Sequence, residues 1–131
     1  MTEFKNRIAS ELETPYTTPA PRAGATPAEL AEAIALFLDN KRGRQIKVIS
    51  MKGKSDICDF MVLATGTSNT HVQTLGREVE YEMGRRGIDP LHVEGRDGNT
   101  WAVLDYSHVM VHVFTRETRD FYNLDKLYGD N

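Results

Sequence analysis

Apolar residues follow one another along the chain at two spacings, one typical of helices and the other of buried strands. Spacings of three and four residues predict helices over residues 26–41, 69–86 and 115–128. Runs rich in β-branched and aromatic residues predict strands at residues 45–51, 60–64, 91–94, 101–105 and 109–114. The order α-β-β-α-β-β-β-α predicts an α/β (α+β) fold, in which helices flank a mixed sheet.

The first predicted helix carries a strong start signal, which sets a boundary in the chain. Thr26-Pro27-Ala28-Glu29 combines an N-cap, a proline at the first helical position and the glutamate of a capping box. Residues 14–27 hold four of the five prolines, a composition typical of an extended arm. Helical spacing over Thr2–Glu13 predicts a short amphipathic helix. We therefore divide the chain into an N-terminal Pro-rich arm, residues 1–25, and a folded domain, residues 26–131.

The last two long strands are apolar on both sides. In Val109–Phe114 both sets of alternating positions are apolar or histidine, and Trp101–Leu104 is apolar throughout. A strand with one face in water should alternate apolar and polar residues, so something covers both sides of these strands. Two explanations remain open: the chain's own helices cover them, or another chain completes part of the patch.

Composition and charge narrow the classes of function. The formal net charge is −3 and the cations are scattered, so strong direct nucleic-acid binding, which needs clustered Lys and Arg, is not expected. No run approaches the roughly 20 apolar residues of a membrane span, and the N-terminus lacks the apolar centre of a secretory signal. The single cysteine, Cys58, suits a reducing compartment. We expect a cytoplasmic protein that does not bind membranes.

One turn has features of a phosphate site. Thr65-Gly66-Thr67-Ser68 joins a predicted strand to a predicted helix, where backbone N–H groups can face an anion. Nucleotidyltransferase-like folds use a Gly-Ser turn here, with paired aspartates on the next strand to hold magnesium. The next strand, Leu91–Glu94, has no such pair, so we expect no metal, no cofactor and no catalysis. A helix cap and a tight turn explain the segment, and a nucleotide-handling enzyme is the alternative.

Four blocks of sequence, taken in order, point to one protein family. Asp59–Asn69 (DFMVLATGTSN) matches the pattern D-Y/F-F/M-V-I/L-A-S/T-G-S/T-S, and Pro90–Gly95 matches P-x-x-x-E-G. Trp101–Phe114 matches W-x-L/V-L/V-D-Y/F-G-D-V/I-V/I-V-H-V-F/M, except that Ser107-His108 replaces Gly-Asp and Met110 replaces Val or Ile. Arg119–Asp130 matches R-x-F/Y-Y-x-L-E-x-L-W/Y-x-D, with aspartate in place of its glutamate. Over about residues 26–130 the chain thus resembles the Iojap-like ribosomal silencing factors.

The resemblance implies a nucleotidyltransferase-like fold without transferase activity. It also implies a partner, the universal large-subunit ribosomal protein number fourteen, on the face of the large ribosomal subunit that the small subunit joins. A protein on that surface would block subunit joining sterically and repress translation. Members of the family are also seen as homodimers in crystals, so a second copy of the chain is a further implied partner.

The sequence predicts a partner site centred on Trp101, Asp105, Tyr106 and His112, on the last two long strands. Trp and Tyr are frequent hot spots of protein interfaces. Asp105 and His112 add directional hydrogen bonds, and Asp105 suits the basic surface of a ribosomal protein. A core role, under a helix, is the alternative for Trp101 and Tyr106.

Overall fold

One five-stranded mixed sheet organises the computed structural model, which describes residues 25–95 and 100–129. The strands are β1 (Arg44–Ser50), β2 (Phe60–Gly66), β3 (His92–Glu94), β4 (Trp101–Asp105) and β5 (Val109–Thr115). Their order across the sheet is β1-β2-β5-β4-β3; β2 and β5 run parallel, and the other neighbours are antiparallel. The predicted fold class, a mixed sheet with flanking helices, is confirmed.

Within residues 25–95 and 100–129, three α-helices accompany the sheet: α1 (Pro27–Asn40), α2 (Asn69–Arg85) and α3 (Arg116–Tyr122). A short π-helical turn, Asp125–Gly129, follows α3. None of the helices in the described part of the chain is both long and apolar enough to cross a membrane. The predicted arm helix Thr2–Glu13 and the rest of the arm up to residue 24 lie outside the described residues, as do residues 96–99.

The start of α1 has the capping geometry that the sequence predicts. The Thr26 backbone N–H donates to Glu29 Oε1 at 2.9 Å, and the Glu29 N–H donates to Thr26 Oγ1 at 3.1 Å. These two bonds satisfy N–H groups that the first helical turn would otherwise leave without partners. The apolar side of α1, with Ile34, Phe37 and Leu38 fully buried, then packs on the sheet.

Each face of the sheet has its own apolar core. Beneath α1 and α2 lie alternate residues of the central strands, among them Val62, Leu104 and Val111, all fully buried. The opposite face carries a smaller core around Leu63 and Phe114, which the C-terminal segment partly covers. Apolar positions on both sides of β4 and β5 are therefore covered within the chain on one face and only in part on the other.

The last predicted helix, over residues 115–128, is wrong in one respect, because it is interrupted at Asn123. This residue adopts the left-handed conformation, with φ of 51°, which asparagine tolerates better than most residues. Its side-chain Oδ1 accepts from the Lys126 N–H at 3.3 Å. The chain therefore turns after α3 and continues as the separate π-helical turn.

Arg119, a buried residue of α3, holds this C-terminal segment against the sheet. One guanidinium nitrogen donates to the Gln45 carbonyl and to Thr65 Oγ1, both at 2.8 Å. The other two nitrogens bind the Asp125 carboxylate at 2.9 and 2.8 Å. Hydrogen bonding from Arg119 lowers the pKa of Asp125, because it stabilises the charged carboxylate.

Candidate partner-binding face

The face of the sheet opposite α1 and α2 is left partly uncovered at β4 and β5. Strand pairing sets Trp101 opposite Phe114, Val103 opposite His112 and Asp105 opposite Met110, so these six side chains share one face. The surface that we call the open face consists of five of them, together with Phe121 and Tyr122 on α3 and Glu94 on β3. The five strand residues are Trp101, Val103, Asp105, Met110 and His112. The first four of these are half-buried, and His112 is buried, with 8% of its surface exposed.

Trp101 and His112 are directly hydrogen-bonded on the open face. The indole Nε1–H donates to His112 Nδ1 at 3.0 Å. Burial lowers the pKa of His112 from 6.5 to about 4, because the desolvated ring disfavours the charged form. The imidazole is therefore neutral at pH 7, and since Nδ1 is the acceptor, its proton is on Nε2.

The open face continues onto α3 through two aromatic side chains. The Tyr122 ring lies 4.5 Å from the Trp101 indole between centroids, and Phe121 contacts Tyr122 edge-on at 4.9 Å. Phe121 is 80% exposed and Tyr122 is 50% exposed. An apolar surface of this kind, extending from a half-buried tryptophan to exposed rings, is typical of an interaction site.

Sequence reasoning placed Phe121 and Tyr122 in the last helix but assigned them no role. Both are aromatic residues immediately before the break at Asn123. The signal that could have found them is this adjacency, because two consecutive residues of a helix point in different directions and cannot both be buried on its one packed side.

Carboxylates lie at the other end of the open face. Asp105 is half-buried, and its Oδ1 accepts from the Ser107 backbone N–H at 2.7 Å. On the edge strand β3, His92 is paired with Asp105. The His92 Nε2 atom lies 2.8 Å from the Glu94 carboxylate. The face thus has an aromatic end at Trp101 and an acidic end at Asp105.

Tyr106 does not belong to this face, which corrects the predicted grouping of four residues. Tyr106 is 6% exposed and lies in the core beneath the helices. This is the core role that the sequence analysis gave as the alternative for Tyr106. Burial raises the pKa of its hydroxyl, and the nearby charges of Glu80 and Asp89 raise it further. Alternation along β4 carries the reason, because Tyr106 follows Asp105 and so points to the opposite side.

The turn after β2 borders a cleft of about 640 Å³ near the N-termini of α2 and α3. Ser68 caps α2 by accepting from the His71 N–H at 3.0 Å, and the Thr67 N–H donates to His71 Nδ1 at 2.8 Å. A Cβ on Gly66 would lie 2.9 Å from the Val72 backbone nitrogen, so close helix–strand packing requires this glycine. Helix capping and packing thus account for the turn.

The same cleft offers little for a two-metal reaction. Among its described lining residues, Glu117 is the one carboxylate. Within residues 25–95 and 100–129, no group of three His, Cys, Asp or Glu side chains could hold a metal ion. The residues that are present fit a structural turn better than a magnesium-dependent nucleotide site.

Comparison with known proteins identifies the family. Residues 24–131 match the sequence profile of a family described as "Ribosomal silencing factor during starvation". The ribosomal silencing factor RsfS of Bacillus subtilis is 37% identical over 96 residues, which is 73% of this chain and 81% of that protein. A mouse protein named "Mitochondrial assembly of ribosomal large subunit protein 1" is 27% identical over 100 residues, covering 74% of this chain and 44% of the mouse protein.

A solved structure supports the same assignment. The crystal structure of protein CV0518 from Chromobacterium violaceum superposes with a TM-score of 0.78 at 26% identity, covering 82% of this chain and 89% of that one. The sequence match and the shared fold agree over nearly the whole described domain. The chain therefore belongs to the family of ribosomal silencing factors, which includes the Iojap proteins.

Proposed function

We propose that this protein acts in the cytoplasm, where it binds the large ribosomal subunit through the universal large-subunit protein number fourteen. On that surface it blocks the small subunit sterically and so represses translation. The observation that carries the proposal is the open face, a partly uncovered apolar surface on a sheet whose other side packs on α1 and α2 around the larger core. Membership of the silencing-factor family supports a role at the ribosome.

The composition of the open face supports a protein partner. Its aromatic end offers Trp101, Tyr122 and Phe121, residue types that bury much area at little cost in side-chain entropy. Its acidic end offers Asp105 and Glu94, which complement the basic surface of a typical ribosomal protein. The net charge of −3 supports a protein contact rather than a contact with ribosomal RNA phosphates.

The choice of the large subunit has separate support. The name of the mouse relative refers to assembly of the ribosomal large subunit. A factor on the joining surface needs no catalytic group, since occupancy alone excludes the small subunit. A homodimer formed through the open face would compete with the ribosomal protein for the same surface.

The test compares two exposed aromatic residues on different faces. Phe121→Ala alters the open face, and Tyr81→Ala, on α2 and 62% exposed, is its matched control. Each purified variant is sedimented with isolated large subunits, and subunit joining is then followed by light scattering after small subunits are added. We expect Phe121→Ala to weaken binding by about 1–3 kcal/mol and to restore joining, while Tyr81→Ala behaves as wild type.

Two results would contradict the proposal. Equal binding by wild type and both variants would remove the open face from the interaction. Magnesium-dependent turnover of nucleoside triphosphates that disappears in Ser68→Ala would instead favour the nucleotide-handling enzyme. Ser68 lies in the turn after β2 and lines the cleft there, and it is not a residue of the open face.

A further inference from the structure

Trp101 is the one tryptophan of the chain, and the only polar atom of its side chain, Nε1, donates a hydrogen bond to a single residue. Trp101 Nε1–H donates to His112 Nδ1 at 3.0 Å, and the two ring centroids are 5.8 Å apart with the planes tilted by 42°. The bond runs diagonally between strands, because Trp101 is paired with Phe114 and His112 with Val103. The histidine therefore reaches sideways to the indole rather than stacking directly on it.

Other contacts leave the orientation of the indole incompletely fixed. Phe114 lies 5.7 Å from it and Tyr122 lies 4.5 Å from it, and both contacts are tilted ring packings. Such contacts are apolar, so they restrain position but do not distinguish which indole edge faces inward. The hydrogen bond to His112 does distinguish the edges, because only one carries an N–H.

We propose that His112 is a positioning residue, which fixes the Trp101 indole in one orientation and so prepares the open face for its partner. The proposal rests on the proposed function, since it concerns the same surface. His112 is 8% exposed, so it has little surface of its own to offer a partner. Its effect passes through Trp101, by reducing the side-chain entropy that binding would otherwise cost.

The surroundings of His112 explain why a neutral acceptor can persist there. Its neighbours across the adjoining strands are Leu63 on β2 and Val103 on β4. An apolar setting keeps the imidazole uncharged, and only the uncharged ring has a nitrogen that accepts. Protonation would convert Nδ1 into a donor facing another donor.

A pair of variants separates the hydrogen bond from simple packing. His112→Asn retains an acceptor at the position of Nδ1, and His112→Leu has nearly the same shape without an acceptor. Because the chain has one tryptophan, a ¹⁵N-labelled sample gives one indole N–H resonance per chain. The exchange rate of that proton with water, measured well below the melting temperature of each variant, reports the bond directly.

We expect the indole proton of wild type and His112→Asn to exchange slowly, and that of His112→Leu to exchange roughly fivefold faster or more. Co-sedimentation with large subunits should follow the same order, with a loss of roughly fivefold for His112→Leu and rescue by His112→Asn. Equal exchange and equal binding in the Asn and Leu variants would overturn the positioning role.

The two readouts also distinguish this proposal from the one on which it rests. If wild type fails to bind large subunits while the indole exchange rates differ as expected, the proposed function is wrong and the hydrogen bond still orders Trp101. If wild type binds and the Asn and Leu variants bind equally well, the function stands and the positioning role is wrong.

Discussion

The two faces of strand β4 differ in what covers them, although both are apolar. Ala102 and Leu104 point beneath the helices and are buried, whereas Trp101, Val103 and Asp105 point to the open face and are half-buried. The helix-side residues have all their neighbours within the chain, so their contribution is to stability. On the open face Tyr122 contacts the Trp101 indole but is itself 50% exposed, which leaves surface for recognition.

The largest difference between the faces should appear when neighbouring residues of β4 are truncated. Leu104→Ala removes a fully buried side chain and should lower the free energy of unfolding by about 2–5 kcal/mol. Val103→Ala, one residue away on the open face, should cost less than about 1 kcal/mol because its surroundings are only partly closed. Urea unfolding followed by circular dichroism measures both. Equal losses would show that the open face is packed as tightly as the core.

The pH dependence of stability probes His112 on the open face. Burial lowers the pKa of this residue from 6.5 to about 4, so the unfolded chain binds the proton at higher pH than the folded chain does. Its contribution is therefore present above pH 6.5 and is lost as pH falls from 6.5 towards 4. We expect a loss on the order of 3 kcal/mol over that range.

The control for this titration is His112→Asn, which cannot take up the proton. Every other residue is the same in both proteins, so the difference between the two urea-unfolding series isolates His112. Parallel pH profiles for wild type and variant would mean that His112 is not protected from protonation by burial.

The smallest effect is expected from deletion of residues 1–24, which tests whether the arm covers either face of the sheet. The capping box at Thr26 completes the start of α1 within the remaining chain. We expect the free energy of unfolding to change by less than about 1 kcal/mol, with the fluorescence of Trp101 unaltered. A large loss of stability, or a red-shifted emission, would place the arm on the domain.

Local chemistry in the sequence was sufficient for the element order and most boundaries. The capping box of Thr26 and Glu29 fixes the start of α1, because its two hydrogen bonds involve residues only three apart. β4 begins and ends where the apolar run indicates, at Trp101 and Asp105. These features depend on neighbours in the chain, which the sequence shows directly.

The break at Asn123 shows where local reasoning failed. Helical spacing continues through Leu124, and an asparagine inside such a pattern is compatible with a continuous helix. Hydrogen bonds of Arg119 stabilise the chain in its broken form. Arg119 binds Asp125, which follows the break, and it also binds Gln45 and Thr65 on the sheet. The partners of Arg119 on β1 and β2 are 74 and 54 residues away in the chain, so no local pattern reports them.

By itself the sequence showed that β4 and β5 are largely apolar on both sides, and alternation determined which residues share a side. Only the tertiary structure decided which side the helices occupy, because the residues on both sides are predominantly apolar. Insertion of β5 between β2 and β4 then brings His112 beside Trp101. The same packing buries Tyr106 and leaves Trp101 half-buried, since α1 and α2 cover one face, whereas the short α3 packs on β2 and β5 and covers the other face only in part.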